Sequence, residues 1–119
     1  MRDTPQNFYK KLLGGAGERR AAKFLKSKGY KILQNNYSCR FGEIDIIAEK
    51  GGVIVFVEVK TRTGYEYGRG AESVTETKRR RIRKTAEVYL YTHALTDCGC
   101  RFDVIEINSG EIEQIENAF

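Results

Sequence analysis

Apolar positions along the chain follow two different rhythms. Between Gly14 and Gly29, Ala21, Ala22 and Leu25 recur with Glu18 at i, i+3, i+4 and i+7, which predicts a helix with one inward face. Gly29 suits the position just past its end. The segments Tyr30–Tyr37, Arg40–Glu49 and Val53–Lys60 are short runs rich in Val, Ile, Tyr and Phe, and predict three strands. Lys50-Gly51-Gly52 between the last two is a hairpin signal. Residues 1–13 read as a polar, loosely held lead-in. Residues 61–74 contain three glycines and little apolar content, and read as a mobile loop. A long helix from Thr75 to Ala94 and a strand from Arg101 to Ile107 follow. Ile112–Phe119 is a candidate last strand after the Asn108-Ser109-Gly110 turn. The order is αβββαβ in a single α/β domain.

Bulk composition narrows the setting. Hydrophobic residues make up 40% and charged residues 31% of the 119 positions, the mixture of a folded soluble domain. No apolar run approaches the roughly 18 residues of a membrane span, and no signal peptide is evident, so a cytoplasmic location and no membrane partner are expected. Cys39, Cys98 and Cys100 lack the spacing of a zinc site and read as reduced, buried or half-buried thiols. The single histidine, His93, excludes mechanisms that need two. Net charge is +5, yet residues 1–101 carry 21 bases against 11 acids. Such a basic body suits a polyanionic partner, nucleic acid above all.

Charge also intrudes where it is costly. Gly42-Glu43-Ile44-Asp45-Ile46-Ile47-Ala48 and Phe56-Val57-Glu58-Val59-Lys60 place carboxylates and a lysine within otherwise apolar strands. Buried charges need a partner or a metal. Glu58 and Lys60 share a strand face, as do Glu43 and Asp45. A two-residue Gly51-Gly52 turn sets Asp45 opposite Glu58, and a four-residue loop sets Glu43 there. Either register leaves Asp45, Glu58 and Lys60 within neighbour or diagonal reach. Two adjacent carboxylates repel, and a hard divalent cation such as Mg²⁺ relieves them with one or two carboxylates, water and a phosphate. The Val59 carbonyl is a further candidate ligand. Lys60 then lies where it could orient or deprotonate water, or stabilise a pentavalent phosphate. A purely structural salt-bridged trio is the competing reading. Glu18, on the apolar side of the first helix, is either a helix-terminus carboxylate or a further member of the site.

Glu18 on a helix, Asp45 ending a strand, Glu58-x-Lys60 on its hairpin partner and the αβββαβ order resemble the PD-(D/E)XK, or restriction-endonuclease-like, nuclease superfamily. More closely, the chain is similar to the YraN-type family of small bacterial endonuclease-like proteins. That similarity runs from Gly17-Glu18 through GEIDIIA, FVEVKTR, the Ala71–Val74 stretch with its basic helix, and CRFDVIEI to Asn117-Ala118-Phe119. The resemblance implies a mixed central sheet flanked by helices. It also implies Mg²⁺ or Mn²⁺ held by Asp45 and Glu58, with Lys60 catalytic and Glu18 matching the helical glutamate of archaeal Holliday-junction resolvases. The superfamily's proline before the aspartate is Ile44 here. Superfamily resolvases act as dimers, so a homodimer is one assembly the resemblance brings with it.

The second helix adds Lys78-Arg79-Arg80-Arg81-Ile82-Arg83-Lys84, six bases in seven residues. Ile82, Ala86, Tyr89 and His93 form its inward stripe, so the bases are expected on outer faces as phosphate contacts, with binding weakened by salt. His93 reads as a packed or capping residue. Arg62, beside Thr61, stands where a scissile phosphate could be contacted, and Tyr65, Tyr67 and Arg69 in the glycine-rich loop are candidates for base stacking. The expected function is a metal-dependent DNA endonuclease, with branched or damaged DNA as candidate substrates. A non-cleaving nucleic-acid-binding module is the alternative, and a protein-interaction domain with an acidic partner is a third.

Overall fold

The structure is a computed structural model and describes residues 5–62, 74–108 and 110–119, with side chains from residue 15 onward. Helix α1 spans Pro5–Ser27 and therefore starts before Gly14, where the sequence placed it. A proline suits the first turn of a helix, because its fixed φ is already helical and its missing N–H would have no partner there. The helix stops as expected. The Gly29 N–H donates to Lys26 O and the Tyr30 N–H to Leu25 O, with Gly29 at φ 92°. Tyr30 and Leu25 also pack together, which completes a glycine-terminated helix end.

The strands are β1 (Lys31–Cys39), β2 (Gly42–Lys50), β3 (Val53–Arg62), β4 (Gly99–Asn108) and β5 (Glu111–Ile115), with α2 (Glu76–Thr92) between β3 and β4. Among the described residues they form one five-stranded sheet in the order β1-β2-β3-β4-β5. Only β3 and β4 pair in parallel, so the sheet is mixed. The loop expected over 61–74 gives up Thr61 and Arg62 to β3, and from 63 to 73 lies outside the described residues, along with Tyr65, Tyr67 and Arg69. β3 and β4 outrun their predicted ends because each supplies the other's partners, from Val53↔Gly99 to Arg62↔Asn108. β5 stops short of the predicted Phe119. Asn117 turns at φ 52°, and the tail folds back so that Ala118 N–H donates to Phe102 O.

The helices cover opposite faces. Ala21, Leu25 and Tyr30 join Ile46, Ala48, Val55, Val57, Ile105 and Ile107 on the α1 side. Ile82, Ala86 and Tyr89 of α2, with Val74, join Ile47, Ile54, Phe56 and Val104 on the other. Both clusters are almost fully removed from water, which is the main drive for this arrangement. The Thr75 side chain caps α2 by accepting from the Lys78 N–H. His93 ends it, donating its backbone N–H to Tyr89 O and stacking on the Tyr89 ring with centroids 4.0 Å apart. Cys39 and Cys98 are half-buried free thiols, whereas Cys100 is exposed, because it enters β4 before the strand is covered.

One irregularity positions everything that follows. The β2–β3 ladder keeps the two-residue register, Lys50↔Val53, but ends at Ile46↔Val57. Meanwhile β2 stays paired to β1 as far as Cys39↔Gly42, and β3 stays paired to β4 as far as Arg62↔Asn108. The sheet thus forks between β2 and β3. Ile44 packs in the α2-side cluster with Ile47, although strict alternation would place it with Ile46, so β2 twists at Asp45.

Candidate active site

Asp45 stands at the crotch of the fork. Continuing the ladder would aim the Val59 N–H at the Ile44 carbonyl, but it donates to Asp45 Oδ2 at 2.8 Å instead. A side-chain carboxylate has replaced a backbone acceptor, and the two strands part around it. Glu58 and Lys60 follow Phe56 on the α2 side of β3. Glu58 is buried at 8% exposure, and Lys60 Nζ lies 3.7 Å from Glu58 Oε1.

Glu18 arrives from the opposite layer. Its neighbour Gly17 is buried, and a Cβ there would collide with Thr61 Oγ1, so only glycine lets α1 press this closely on β3. The half-buried Glu18 carboxyl comes within hydrogen-bond reach of Asn36 and Asp45 and feels the charges of Glu43 and Glu58. The expected convergence of Glu18, Asp45, Glu58 and Lys60 is therefore present. The geometry differs from a flat strand face: it is an opening between strands that admits groups from both layers.

Electrostatics in the fork is unbalanced. Burial, followed by the nearby Glu58 carboxylate, pushes the Asp45 carboxyl up to about 8. Glu18 is raised too, by burial first. Burial and the adjacent Lys78 bring the Lys60 ammonium down to about 8, despite Glu58. An amine so lowered is within reach of acting as a base near neutral pH.

Two participants were missed in the sequence. Lys78 Nζ sits 2.9 Å from Glu58 Oε1, closer than Lys60 does, so this member of the basic run belongs to the fork. Burial works to lower its ammonium, but Glu58 and the contact with Lys60 outweigh that and raise it. Its signal was its place at the start of α2, one turn past Thr75. The second is Asn36, which falls opposite Asp45 between Asn35↔Ile46 and Tyr37↔Ile44 and holds φ 52°. Asn accepts that left-handed backbone more readily than most residues. Glu43 is exposed and acts only through its charge on Glu18.

The remaining bases do not all line an outer face as expected. Arg79 Nε donates to Val74 O, and both Arg79 and Arg83 lie over the Phe119 ring. Arg80 pairs with Glu76 at 3.8 Å on the surface. Arg81 and Lys84 turn towards the β1–β2 turn. Arg62 closes β3 opposite Asn108. The reason is helical geometry: seven consecutive residues span nearly two turns and so point in every direction.

No group of three or more His, Cys, Asp or Glu side chains among the described residues forms a ready cage. Asp45, Glu58 and the Val59 carbonyl nevertheless fit Mg²⁺ or Mn²⁺. Such ions take few protein ligands alongside water and phosphate, and the crowded Asp45 carboxyl, unlike Glu58, has no cation paired with it among the described residues.

A family model described as uncharacterised protein family UPF0102 matches residues 17–107. The chain belongs to UPF0102. A UPF0102 protein of Lachnoclostridium phytofermentans is 49% identical over 111 residues, covering 92% of this chain and 94% of that protein. One from Pelotomaculum thermopropionicum is 47% identical over 116 residues, covering 92% and 97% respectively. One from Caldicellulosiruptor saccharolyticus is 43% identical over 116 residues, covering 92% and 98%. The UPF0102 match contains the whole fork, from Glu18 to Lys78, and both helices' contacts with it.

Proposed function

We propose that this UPF0102 protein is a divalent-metal-dependent nuclease that hydrolyses phosphodiester bonds in DNA. The observation that carries the reading is the fork itself, where Glu18, Asp45, Glu58 and Lys60 meet from both layers around a carboxylate inserted into the sheet. Membership of the PD-(D/E)XK superfamily is part of this proposal, supported by the αβββαβ order and by the placement of these four residues. Branched or damaged DNA and a homodimeric assembly are further parts of it and rest on the resemblance alone; a cytoplasmic location is another, and rests on the sequence pattern. No helix among the described residues is long and apolar enough to cross a membrane.

In the proposed reaction, water adds across a P–O bond: its oxygen bonds to phosphorus, and the ester oxygen departs and takes up a proton. Mg²⁺ or Mn²⁺ held by Asp45, Glu58 and the Val59 carbonyl would supply charge neutralisation and lower the pKa of water. Lys60, as the neutral amine that its lowered pKa makes accessible, takes the proton from the attacking water. Lys78 keeps its proton and offers a fixed positive charge to the phosphate. Glu18 shares the Asp45 side of the fork and would help to hold the ion.

One observation favours a second reading. Lys78 occupies Glu58 at 2.9 Å, so an ammonium already supplies some of the charge a metal would bring. That suits a DNA-binding module that does not cut. Incubation of labelled single-stranded, duplex, flap and four-way DNA with Mn²⁺, Mg²⁺ or EDTA separates the two. The nuclease reading requires metal-dependent cleavage that Lys60→Ala lowers by about 10²-fold or more. Cleavage that survives EDTA or the substitution counts against it, and binding without cleavage of any substrate selects the second reading.

A further inference from the structure

The β1–β2 turn carries a cluster of charge that lies outside the fork. Arg40 and Phe41 form this turn between Cys39 and Gly42. The Arg40 guanidinium lies 4.7 Å and the Lys84 ammonium 5.3 Å from the Phe41 ring centroid. Arg81 borders the cluster at its Cβ, which would stand 3.4 Å from a Cβ at Gly42, because α2 packs closely on the turn. All three cations are exposed, and no ion pair compensates them among the described residues. Three like charges repel, and the negative face of the Phe41 ring is what holds two of them together. Other bases of α2 and β4 are ion-paired: Arg80 with Glu76, Lys78 with Glu58, Arg101 with Asp103.

We infer that Arg40 and Lys84, mounted on Phe41, with Arg81 on the adjacent turn of α2, form a phosphate-binding platform for the backbone of the nucleic acid whose cleavage is proposed at the fork. For its partner this inference rests on that proposal. The platform adjoins the fork: Lys78, Arg81 and Lys84, at i, i+3 and i+6, form an oblique stripe that turns about 60° around α2 at each step. The stripe begins on Glu58 and ends over Phe41. Along β2, Gly42 lies three residues from Asp45, roughly 10 Å. At about 3.4 Å of axial rise per nucleotide, the gripped phosphate is roughly three nucleotides from the scissile one. Arg40 lies outside the basic run, and Arg79, Arg83 and Arg80 are committed elsewhere, so the platform selects particular bases rather than the run as a whole.

The test is equilibrium binding of a labelled duplex oligonucleotide by fluorescence anisotropy, with Ca²⁺ present, over a series of salt concentrations. The variants are Arg40→Ala, Lys84→Ala, Phe41→Leu and Phe41→Trp, with Lys31→Ala at the far end of β1 as the control. Circular dichroism melting verifies that each is folded. We expect Arg40→Ala and Lys84→Ala each to weaken binding about tenfold and lower the salt slope by about one. Phe41→Leu weakens binding with no change in net charge, and Phe41→Trp restores it. Unchanged affinity in Arg40→Ala and Lys84→Ala, or an equal loss in Lys31→Ala, overturns the platform. Platform-dependent binding without cleavage would remove the nuclease reading alone, and cleavage indifferent to Arg40 and Lys84 would remove the platform alone.

Discussion

Two aspartates in one sheet, one fully and one half-buried, receive opposite treatment from their surroundings. Asp103 is fully buried, yet Arg101 Nε and Nη2 donate to its two oxygens at 2.9 and 3.0 Å. The Gln114 side chain and the Asn117 backbone N–H add bonds at 2.8 and 3.1 Å. Its first hydrogen bond and then its charge raise the Arg101 guanidinium further above its ordinary range. Asp45 has one backbone donor, the Val59 N–H, and carboxyl neighbours at Glu18 and Glu58. Every acceptor site of Asp103 is spoken for, so it can do nothing but hold β4 to β5 and the tail. Asp45 is held in place but left short of positive charge, which is the condition of a group kept for binding something else. Stability given up at one site and kept at another is the usual compromise between folding and function.

The contrast is broken most forcefully at the level of activity. Asp45→Asn should lower metal-dependent cleavage by at least ~10²-fold, while Asp103→Asn leaves the rate per folded molecule unchanged; a gel assay normalised to the folded fraction compares them. A comparable loss in both would erase the distinction.

Stability should reverse the order. Asp103→Ala removes the buried carboxylate and leaves Arg101 only the exposed Glu116, and is expected to cost about 3 kcal/mol, read from urea unfolding. Asp45→Asn keeps an acceptor for the Val59 N–H and removes a disfavoured charge, so the metal-free Tm should rise, on the order of 5 °C. The sign follows from a folded-state pKa of about 8 set against an ordinary value of 3.8. The stability contributed by the protonated form is fully present below about pH 4 and is lost as pH rises towards 8. The advantage of Asn over Asp should therefore grow across that window, which a series of melts at different pH can follow. A flat difference would contradict the crowded-carboxyl account.

The smallest effect concerns the bases with structural duties. Arg79→Ala gives up one cation over Phe119 and the bond to Val74 O, and should cost about 1 kcal/mol of stability with little change in DNA affinity. A loss of affinity equal to that of Lys84→Ala would mean the basic run acts as an undivided patch.

Much of this was legible in the sequence where a signal was local. Gly29 ended α1, Gly51-Gly52 marked the β2–β3 hairpin while leaving two registers open, and the Ile82, Ala86, Tyr89 stripe turned α2 inward. The membership of Glu18, Asp45, Glu58 and Lys60 in one site could be read from spacing and the resemblance. What stayed hidden depends on contacts between distant segments. The fork arises because β1 and β4 draw β2 and β3 apart, which no single strand encodes. Likewise, the partner of Lys78 and the division of the other bases among Phe119, Glu76 and Phe41 depend on how α2 crosses the sheet. Pro5 was missed as a helix start because glycines at 14, 15 and 17 blurred the pattern after it.

The central claim is that the fork is a cation site. Titration with Mn²⁺, followed by loss of the free-ion electron paramagnetic resonance signal in the presence of a non-cleavable phosphorothioate duplex, tests it most directly. One Mn²⁺ should bind per chain, with Asp45→Asn and Glu58→Gln abolishing it and Lys78→Ala leaving it intact or tighter. Binding that is absent in the wild-type chain, or that persists undiminished in Asp45→Asn, would contradict the account.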